Sequence, residues 1–455
     1  MNIAVVGLWH LGTVTAACLA AAGHRVFGIE PDISDPRLTD AAGGTPAVRG
    51  IDNAHVNKVV TDLQEGHPSI FEPGLEDLVK KGLAEGRLSF SSDPAVMGNA
   101  EIVWITYDTP VNEDDNADVE FVVQRVIGLF PHLKPGTLVM ISSQLPVGTT
   151  RRLENHYATE WGHKPVTFCY SPENLRLGNA IRAFTQPDRI VVGVRSEQDR
   201  TRISALLRPI CERIEWMSVE SAEMTKHALN AFLAASVAFI NEVAVLCEQV
   251  GADAKEVERG LKSEVRVGPR AYLSPGGAFA GGTLARDVSY LSSVARQYQL
   301  PTHLLDSVKT SNDVHRQWAK NKLRSQLPSL KQQTIAVWGL AYKPGTDTLR
   351  RSSAVELCLW LASEKVRVQA YDPAVKVLPF ELASQIKLHL TAQSAIVGAS
   401  AVVVMTEWPE LRSVSVDQLL ASMKNPLIID ANRFLAATLG SDSRVQYCTV
   451  GKWLK

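Results

Sequence analysis

Residues 1–30 read M-N-I-A-V-V-G-L-W-H-L-G-T-V-T-A-A-C-L-A-A-A-G-H-R-V-F-G-I-E, and this stretch decides the fold. The apolar run Ile3–Val6 predicts a buried strand, Thr13–Ala22 predicts a helix, and Arg25–Ile29 predicts a second strand. A strand, a glycine turn, a helix and another strand form the opening β-α-β unit of a parallel sheet. The chain therefore begins as a doubly wound α/β domain.

The turn between the first strand and the helix reads Gly7-Leu8-Trp9-His10-Leu11-Gly12, a dinucleotide-binding pattern in its required context. Gly7 permits the tight turn, Gly12 lets the helix pack closely on the strand, and the helix N-terminus offers N–H groups to a pyrophosphate. Glu30 stands where a carboxylate accepts the ribose hydroxyls and repels a 2′-phosphate. The pattern predicts NAD rather than NADP, although Arg37 leaves NADP open.

Trp9 departs from this pattern because it occupies the middle glycine position, where the backbone usually comes closest to the pyrophosphate. The alternative, a nucleotide-type fold that binds no cofactor, therefore stays open.

The rest of the chain continues the α/β plan around a helical middle. Further strands are predicted at Ile102–Tyr107, Leu138–Ile141 and Arg189–Val194. From Glu223 to Val250 apolar residues recur at steps of three or four, which predicts a long helix whose apolar face meets a core or a partner subunit.

The last third repeats the plan of the first. Thr334–Trp338 predicts a strand, Ser352–Ala362 a helix and Val366–Tyr371 a strand that ends in Asp372-Pro373, as the second strand ends in Glu30-Pro31. The fold class is therefore α/β, with two Rossmann-like domains flanking a central helical domain. We expect three domains, which span residues 1–200, 201–318 and 319–455. We expect linkers near residues 194–201 and 316–333.

Composition narrows the function classes. The 455 residues include 47 Lys+Arg and 48 Asp+Glu, so net charge gives no reason to expect nucleic acid or an anionic membrane as a partner. The apolar stretch 228–246 contains Asn230, Asn241 and Glu242, so we expect no membrane span, and the start of the chain shows no signal-peptide pattern. Six scattered cysteines without metal-site spacing indicate a reducing, cytoplasmic compartment and no metal site.

Three stretches carry candidate chemistry, each with a structural alternative. Lys226 and Asn230 are four residues apart on one helical face, where they can hold an alkoxide or carbonyl oxygen. Alternatively, they are a solvated lysine and a capping or core asparagine. The glycine-rich loop 274–288 places Thr283, Arg286 and Asp287 at its mouth; it is either an anion-accommodating loop or merely a turn.

The third stretch is Gly339–Arg351, where Lys343 and Arg350 lie just past a strand end. Ligands of open α/β sheets bind at that position, so these cations can pair with phosphates. A surface cluster of charges is the alternative.

Taken together, these residues resemble the UDP-glucose/GDP-mannose dehydrogenase family over nearly the whole chain. The matching motifs run in the family's order: Phe71-Glu72-Pro73-Gly74-Leu75, Thr109-Pro110, Leu145-Pro146-Val147-Gly148-Thr149, Ser171-Pro172-Glu173-Asn174-Leu175-Arg176, Lys226 with Asn230-Ala231-Phe232-Leu233-Ala234, Gly251-Ala252-Asp253, Gly339-Leu340-Ala341-Tyr342-Lys343-Pro344, Tyr371-Asp372-Pro373 and Thr406-Glu407-Trp408.

The resemblance implies an NAD-dependent enzyme that oxidises the C6 alcohol of a nucleotide sugar to the acid. It implies that the N-terminal domain holds NAD, the C-terminal domain holds the nucleotide sugar, and the helical middle forms a homodimer. The roles that it implies are as follows: Lys226, Asn230, Asp287, Glu173 and Thr283 are catalytic positions; Gly7, Leu11, Gly12, Glu30, Thr109, Gln144, Arg286 and Arg350 bind the cofactor; Tyr272, Gly276 and Lys343 bind the substrate.

Three departures from the family pattern bear on the reaction. The family reads G-G-S-C-F-P-K-D where this chain has Ala280 to Asp287, so Thr283 replaces the cysteine nucleophile. Gln144 replaces the threonine near the catalytic water, and Leu177 replaces a second acid near the nicotinamide.

These departures affect the second half of the family's reaction. Oxidising an alcohol to a carbonyl needs a hydride acceptor, a base and a stabilised oxyanion. Oxidising an aldehyde onward through a covalent adduct needs an activated nucleophile, and a hydroxyl is far weaker than a thiol. We therefore expect a two-electron alcohol/carbonyl interconversion. A four-electron route through the aldehyde hydrate and a catalytically silent binder remain the alternatives.

Overall fold

The computed structural model describes residues 1–31, 53–110, 117–173, 175, 178–280 and 282–452. The chain divides into two compact units, Met1–His227 and Ala228–Lys455. The first unit contains the following described elements: strands β1 Asn2–Val6, β2 Arg25–Ile29, β3 Leu88–Ser91, β4 Ile102–Ile105, β5 Leu138–Ile141, β6 Thr167–Tyr170, β7 Ile190–Gly193 and β8 Ile214–Met217; helices α1 His10–Ala21, α2 Asn53–Gln64, α3 Leu75–Ala84, α4 Val119–Leu129, α5 Thr149–Trp161, α6 Ala180–Thr185 and α7 Glu197–Leu207; and 3-10 turns Pro94–Asn99 and Phe130–His132.

The first unit is built on one sheet of strand order β3-β2-β1-β4-β5-β6-β7-β8. Neighbouring strands are parallel except β6 and β7, which are antiparallel. Side chains of β1 alternate between two hydrophobic clusters, with Ile3 and Val5 on one face and Ala4 and Val6 on the other. Because both faces are covered, the strands are continuous apolar runs rather than alternating ones.

Helix α8, Val219–Val250, begins in the first unit and continues into the second. The second unit then contains strands β9 Thr334–Trp338, β10 Arg367–Tyr371, β11 Ile386–Leu388, β12 Ala401–Val404, β13 Leu427–Asp430 and β14 Gln446–Cys448; helices α9 Ala254–Ser263, α10 Thr283–Gln297, α11 His303–His315, α12 Trp318–Gln326, α13 Ser353–Ser363, α14 Phe380–Ala383, α15 Ala392–Ala395 and α16 Val416–Ser422; and a 3-10 turn, Pro409–Ser413. Its sheet is parallel throughout, with order β11-β10-β9-β12-β13-β14.

The two sheets repeat one topology, since both begin with the order third-second-first-fourth-fifth-sixth strand that is typical of the Rossmann fold. The registers also correspond, because Val6 lies opposite Ile29 and Trp338 lies opposite Tyr371. The predicted α/β class, with two Rossmann-like sheets and helices between them, is therefore confirmed.

The predicted elements lie close to those observed, but the two predicted linkers are wrong. The segment 194–201 enters helix α7, whose first turn is capped by Ser196 accepting a hydrogen bond from the Asp199 N–H. The segment 316–333 contains helix α12, in which Trp318 donates its indole N–H to the buried Glu248 at 2.8 Å. The polar composition of these two segments led to the prediction of linkers. The Ser196 cap and the buried hydrogen bond from Trp318 to Glu248 stabilise helices there instead. The three domain bounds stay a prediction.

Among the described residues one helix, α8, is long and apolar enough to cross a membrane by length and composition. This differs from the expectation based on Asn230, Asn241 and Glu242. However, Asn230 and Asn241 are 6% and 1% exposed, so their polar groups lie inside the fold. The core helix of a soluble protein meets the same criterion, so the helix is weak evidence for a membrane. The absence of a membrane partner stays a prediction.

A single carboxylate organises the carboxyl edge of the second sheet. Asp372 is 2% exposed and accepts hydrogen bonds from the backbone N–H groups of Leu340, Ala341, Ala374 and Val375 and from the Trp408 indole N–H. These bonds join the ends of β9 and β10 to the loop after β12.

We predict that Asp372→Asn destabilises the protein by about 2–4 kcal/mol, because an amide NH₂ must then face N–H donors and the charge-assisted bonds are lost. Urea unfolding followed by circular dichroism measures the change. Asp417→Asn, at a carboxylate whose side chain is 83% exposed, is the matched control and should shift stability by less than about 0.5 kcal/mol. Equal effects of the two changes would contradict the assignment.

Candidate active site

The turn after β1 has the geometry of a dinucleotide-binding loop. Gly7 adopts φ +100°, and a Cβ there would lie 2.8 Å from the Tyr107 ring and 2.9 Å from its backbone nitrogen. A Cβ on Gly12 would collide with the Gly7 carbonyl oxygen. Both predicted glycines are therefore required, one by the backbone conformation and the other by the close approach of helix α1 to the turn.

The residues between these glycines lead into helix α1. Trp9 precedes the helix with φ −84° and is 49% exposed, so the backbone there needs no glycine. The N–H groups in the first turn of any helix lack intrahelical acceptors and suit an anion. Leu11 lies in this turn and is buried. The loop, the helix start and Glu30 together fit NAD.

Glu30 follows β2, as predicted, but both of its carboxylate oxygens already have partners. Oε2 accepts the backbone N–H of Leu8, and Oε1 lies 3.1 Å from Nη1 of Arg125 on α4. The Arg125 guanidinium also lies over the rings of Phe121 and Tyr107, at 4.6 and 5.2 Å from their centroids. The sequence analysis missed Arg125, because its place beside Glu30 depends on how α4 packs.

Glu72 is a second residue whose role the sequence did not indicate. Its carboxylate is buried and accepts the N–H groups of Gly178 and Ala180 at 2.7 and 2.8 Å, and it lies 3.2 Å from Nε2 of His10. The motif Phe71-Glu72-Pro73-Gly74-Leu75 therefore ties the start of α1 to the start of α6.

The loops after β4 and β5 are joined by Thr109, whose hydroxyl donates to the Gln144 carbonyl at 2.8 Å. Both predicted cofactor positions thus lie at the carboxyl edge of the first sheet, where ligands of such sheets bind. The proposed role of the Gln144 side chain stays a prediction.

Two buried side chains fix the first turns of α8 against this edge. Glu223 is 0% exposed and accepts the N–H groups of Gly148 and Thr150 and the Thr150 hydroxyl, at 2.6, 3.0 and 2.7 Å. His227 Nε2 lies 3.0 Å from the Leu145 carbonyl. Burial raises the pKa of Glu223, while these hydrogen bonds oppose the rise. The motif Leu145 to Thr149 therefore anchors the helix that carries Lys226.

Lys226 lies between these two anchors and reaches the loop after β6. Its ammonium donates to the backbone carbonyl of Glu173 at 2.5 Å, and the Glu173 carboxylate accepts the N–H of Leu175. The structure therefore brings together the predicted Lys226 and Glu173 in the first unit. The neighbouring Asn174, Arg176 and Leu177, like Arg37, lie outside the described residues.

The second unit joins two further predicted catalytic residues. Asn230 and Asp287 are 6% and 0% exposed, and Nδ2 of Asn230 donates to Oδ2 of Asp287. Asn230 follows Lys226 by one turn of the continuous helix α8. The burial of Asn230 agrees with the alternative of a core asparagine as well as with a catalytic one, so its catalytic role stays a prediction.

Thr283 begins helix α10 and is exposed. The structure gives its hydroxyl no hydrogen-bond partner within the described part of the chain. Gly282 precedes Thr283 and adopts φ +105°. A Cβ built on Gly282 would lie 3.8 Å from Nη1 of Arg351. Arg286 lies in the same helical turn. A threonine without a basic partner is a poor nucleophile.

The predicted substrate residues Tyr272 and Gly276 line a cavity of about 690 Å³ in the second unit. Its loop is held by polar side chains, of which Asn241 and His315 are buried. Asn241 accepts the Gly276 N–H at 3.0 Å, Asn432 accepts the Gly277 N–H at 2.7 Å, and His315 Nε2 lies 2.8 Å from the Gly276 carbonyl. Burial lowers the pKa of His315, so its neutral ring donates this bond. The asparagines were not predicted, since they lie far apart in sequence.

Lys343 and Arg350 both lie in the loop between β9 and α13, and Arg350 is exposed. A second cavity of the same unit, of about 490 Å³, lies at the carboxyl edge of this sheet. Tyr342, next to Lys343, and Ser352, which caps α13, line it. The phosphate-binding roles of Lys343 and Arg350 stay predictions.

Burial makes five of the six cysteines poor nucleophiles. All are unpaired, and five of them are buried. Burial raises the pKa of Cys18, Cys358 and Cys448 to about 12, and it also raises that of Cys169 and Cys247. Thiols of this kind contain almost no thiolate at neutral pH.

The comparisons with known proteins agree with this geometry. Three family models match: the UDP-glucose/GDP-mannose dehydrogenase family NAD binding domain at 41–211, its central domain at 220–314 and its UDP binding domain at 336–437. The chain is 32% identical to UDP-glucose 6-dehydrogenase YwqF of Bacillus subtilis and 31% identical to UDP-glucose 6-dehydrogenase of Pseudomonas aeruginosa, covering 99% of this chain and 98% of each relative.

A solved structure is also similar. The UDP-glucose dehydrogenase of Pyrobaculum islandicum superposes with a TM-score of 0.78 at 26% identity, covering 94% of this chain and 96% of that one.

We predict that the native protein exposes one fast-reacting thiol, the half-buried Cys211, when titrated with an aromatic disulfide reagent at pH 8. Cys211→Ser should remove the fast phase, and unfolding in guanidinium should then reveal the five buried thiols. A fast thiol that persists in Cys211→Ser would show that a buried cysteine is reactive.

Proposed function

The chain belongs to the UDP-glucose/GDP-mannose dehydrogenase family, and from this premise we propose that it interconverts an alcohol and a carbonyl on a nucleotide sugar with NAD. The single observation that carries the two-electron assignment is Thr283, an exposed hydroxyl with no basic partner among the described residues, at the position of the family's thiol. NAD supplies the hydride acceptor when it is bound. The turn from Gly7 to Gly12 and the carboxylate of Glu30 are the groups proposed to hold it.

Lys226 and Asn230 are proposed to hold the reacting oxygen. They are one turn apart on α8, and each is already fixed, Lys226 by the Glu173 carbonyl and Asn230 by Asp287. An ammonium and an amide N–H held in place stabilise the negative charge that develops on an alkoxide. Their fixed partners reduce the reorganisation needed when the oxygen becomes charged.

The proton of the alcohol needs a base, and two carboxylates are available. Glu173 lies beside Lys226, and Asp287 is buried against Asn230. We assign proton acceptance to Glu173, since its side chain is only partly buried whereas Asp287 is fully buried against the Asn230 amide. This carboxylate takes the proton of the alcohol, and NAD, when bound, would accept the hydride from the carbon that bears the hydroxyl so that a carbonyl results.

The reaction stops there in this proposal. Onward oxidation of an aldehyde needs an adduct, and the family's route to it is a thiolate, whereas Thr283 offers an unactivated hydroxyl. The four-electron alternative is favoured by one observation, that relatives about 30% identical over the full length are named UDP-glucose 6-dehydrogenases. In that case a carboxylate-activated water takes the place of the thiol.

We predict one NADH formed per sugar consumed and an aldehyde or ketone as the product. Purified protein is incubated with NAD and a panel that includes UDP-glucose and GDP-mannose, NADH is counted by absorbance, and the product is identified by mass. Two NADH with a uronate would overturn the two-electron assignment. Binding of NAD and a nucleotide sugar without turnover would instead indicate a silent homologue.

Two variants test the role of position 283. Thr283→Cys restores the thiol, so a rise above one NADH per sugar would show that the missing thiol limits the reaction. Thr283→Ser keeps a hydroxyl and is the matched control, for which the ratio should stay at one. A ratio of two in Thr283→Ser would contradict the proposal.

We also propose a homodimer in the cytoplasm, with α8 in the interface. Six large apolar side chains on this helix are exposed, and three of them, Phe232, Phe239 and Leu246, are spaced seven residues apart. Such a stripe is costly to leave in water and suits the same helix of a second copy. The six unpaired cysteines are consistent with a reducing compartment.

We predict that light scattering after size exclusion gives about twice the chain mass of 49.7 kDa. Phe239→Glu should shift the mass to that of one chain, because it buries an unpaired charge in the interface. Val397→Glu, at a 60% exposed side chain elsewhere in the second unit, is the matched control. A wild-type protein with the mass of one chain would refute the dimer.

A further inference from the structure

The ion pair between Glu30 and Arg125 is unusual for the place where it lies. The two side chains are 14% and 15% exposed, so the pair is largely removed from water. Removing two charges from water is unfavourable unless the geometry and further contacts compensate. Here the compensation comes from the Leu8 N–H on the carboxylate and from the rings of Tyr107 and Phe121 beneath the guanidinium.

The second sheet shows that the turn itself does not require an arginine. Asp372 occupies the position that corresponds to Glu30, and it accepts the N–H of Leu340 as Glu30 accepts that of Leu8. The donors to Asp372 are four backbone N–H groups and one indole. Arg125 therefore does something at the first sheet beyond holding the turn.

The charges of Glu30 and Arg125 indicate this additional role of Arg125. A lone carboxylate at the end of the second strand favours a ribose diol and repels a 2′-phosphate. With Arg125 at 3.1 Å, the pair is neutral overall, and the guanidinium is held by the rings on one side. A guanidinium is always protonated and pairs readily with phosphate oxygens when no carboxylate occupies it.

We propose that Arg125 is a second determinant of cofactor choice. It positions the Glu30 carboxylate for the ribose hydroxyls, and it is itself a latent ligand for a 2′-phosphate that Glu30 keeps occupied. This inference rests on the NAD site of the proposed function and deepens it, because it assigns the discrimination between NAD and NADP to a pair rather than to Glu30 alone.

A double-mutant cycle measures this directly. The dissociation constants of NADH and NADPH are determined by calorimetry for the wild type, Glu30→Gln, Arg125→Met and the double variant, so the readout does not depend on turnover. Arg125→Met should weaken NADH binding about tenfold, since a released carboxylate is no longer oriented. Glu30→Gln should shift the ratio of the two constants about tenfold or more towards NADPH.

The double variant shows whether the choice between NAD and NADP depends on the Glu30–Arg125 pair or on Glu30 alone. If Arg125 is the latent phosphate ligand, adding Arg125→Met to Glu30→Gln abolishes the gain for NADPH. If the gain persists within twofold, the proposal is wrong. Glu30→Gln with Arg125→Lys keeps the charge and should retain part of the gain, which a purely structural role of Arg125 would not produce.

Two controls distinguish failure of this inference from misfolding of a variant and from failure of the cofactor site. Arg152→Met removes an exposed arginine that pairs with Glu120 on α4 at 2.8 Å, and it should change neither dissociation constant. Thermal melts of all variants identify any that fail to fold. If a variant with Arg125→Met fails to fold, the dissociation constants of the variant with Arg125→Lys are compared instead. A wild type that binds neither dinucleotide would overturn the cofactor site itself, whereas NADH binding that is insensitive to Arg125→Met would overturn this inference alone.

Discussion

In both sheets, a carboxylate at the end of the second strand fixes the turn that follows the first strand. Glu30 accepts the N–H of Leu8, and Asp372 accepts those of Leu340 and Ala341. A turn with an N–H group directed inward needs a buried acceptor, and a carboxylate serves best because its bonds are charge-assisted. The nucleotide-binding edge of each half depends on this bond, since it sets the approach of the following helix.

The side chains proposed as catalytic are positioned by a second set of buried polar contacts. Glu223 and His227 hold the first turns of α8, so that Lys226 between them meets the Glu173 carbonyl. Asp287 holds Asn230 in the same way. Several of the family's motif residues thus fix backbone groups or partner side chains.

The surroundings of Thr283 explain why a threonine in place of the family's cysteine changes the expected reaction but not the fold. Thr283 occupies the start of α10 without a hydrogen-bonded partner among the described residues, so replacing a thiol there disturbs no structural network. Lys226 and Asn230, proposed to stabilise the oxyanion, have hydrogen bonds that do not involve Thr283.

The sequence by itself determined the two β-α-β units and their strands almost to the residue, because apolar runs and glycine turns are local signals. It failed where polar composition suggested linkers at 194–201 and 316–333, since capping and burial decide helices there. Only the tertiary structure placed Arg125 beside Glu30 and gathered the asparagines around the Gly276 loop. Those partners are distant in the chain, and packing of helices and loops on the sheets, rather than any local pattern, brings them together.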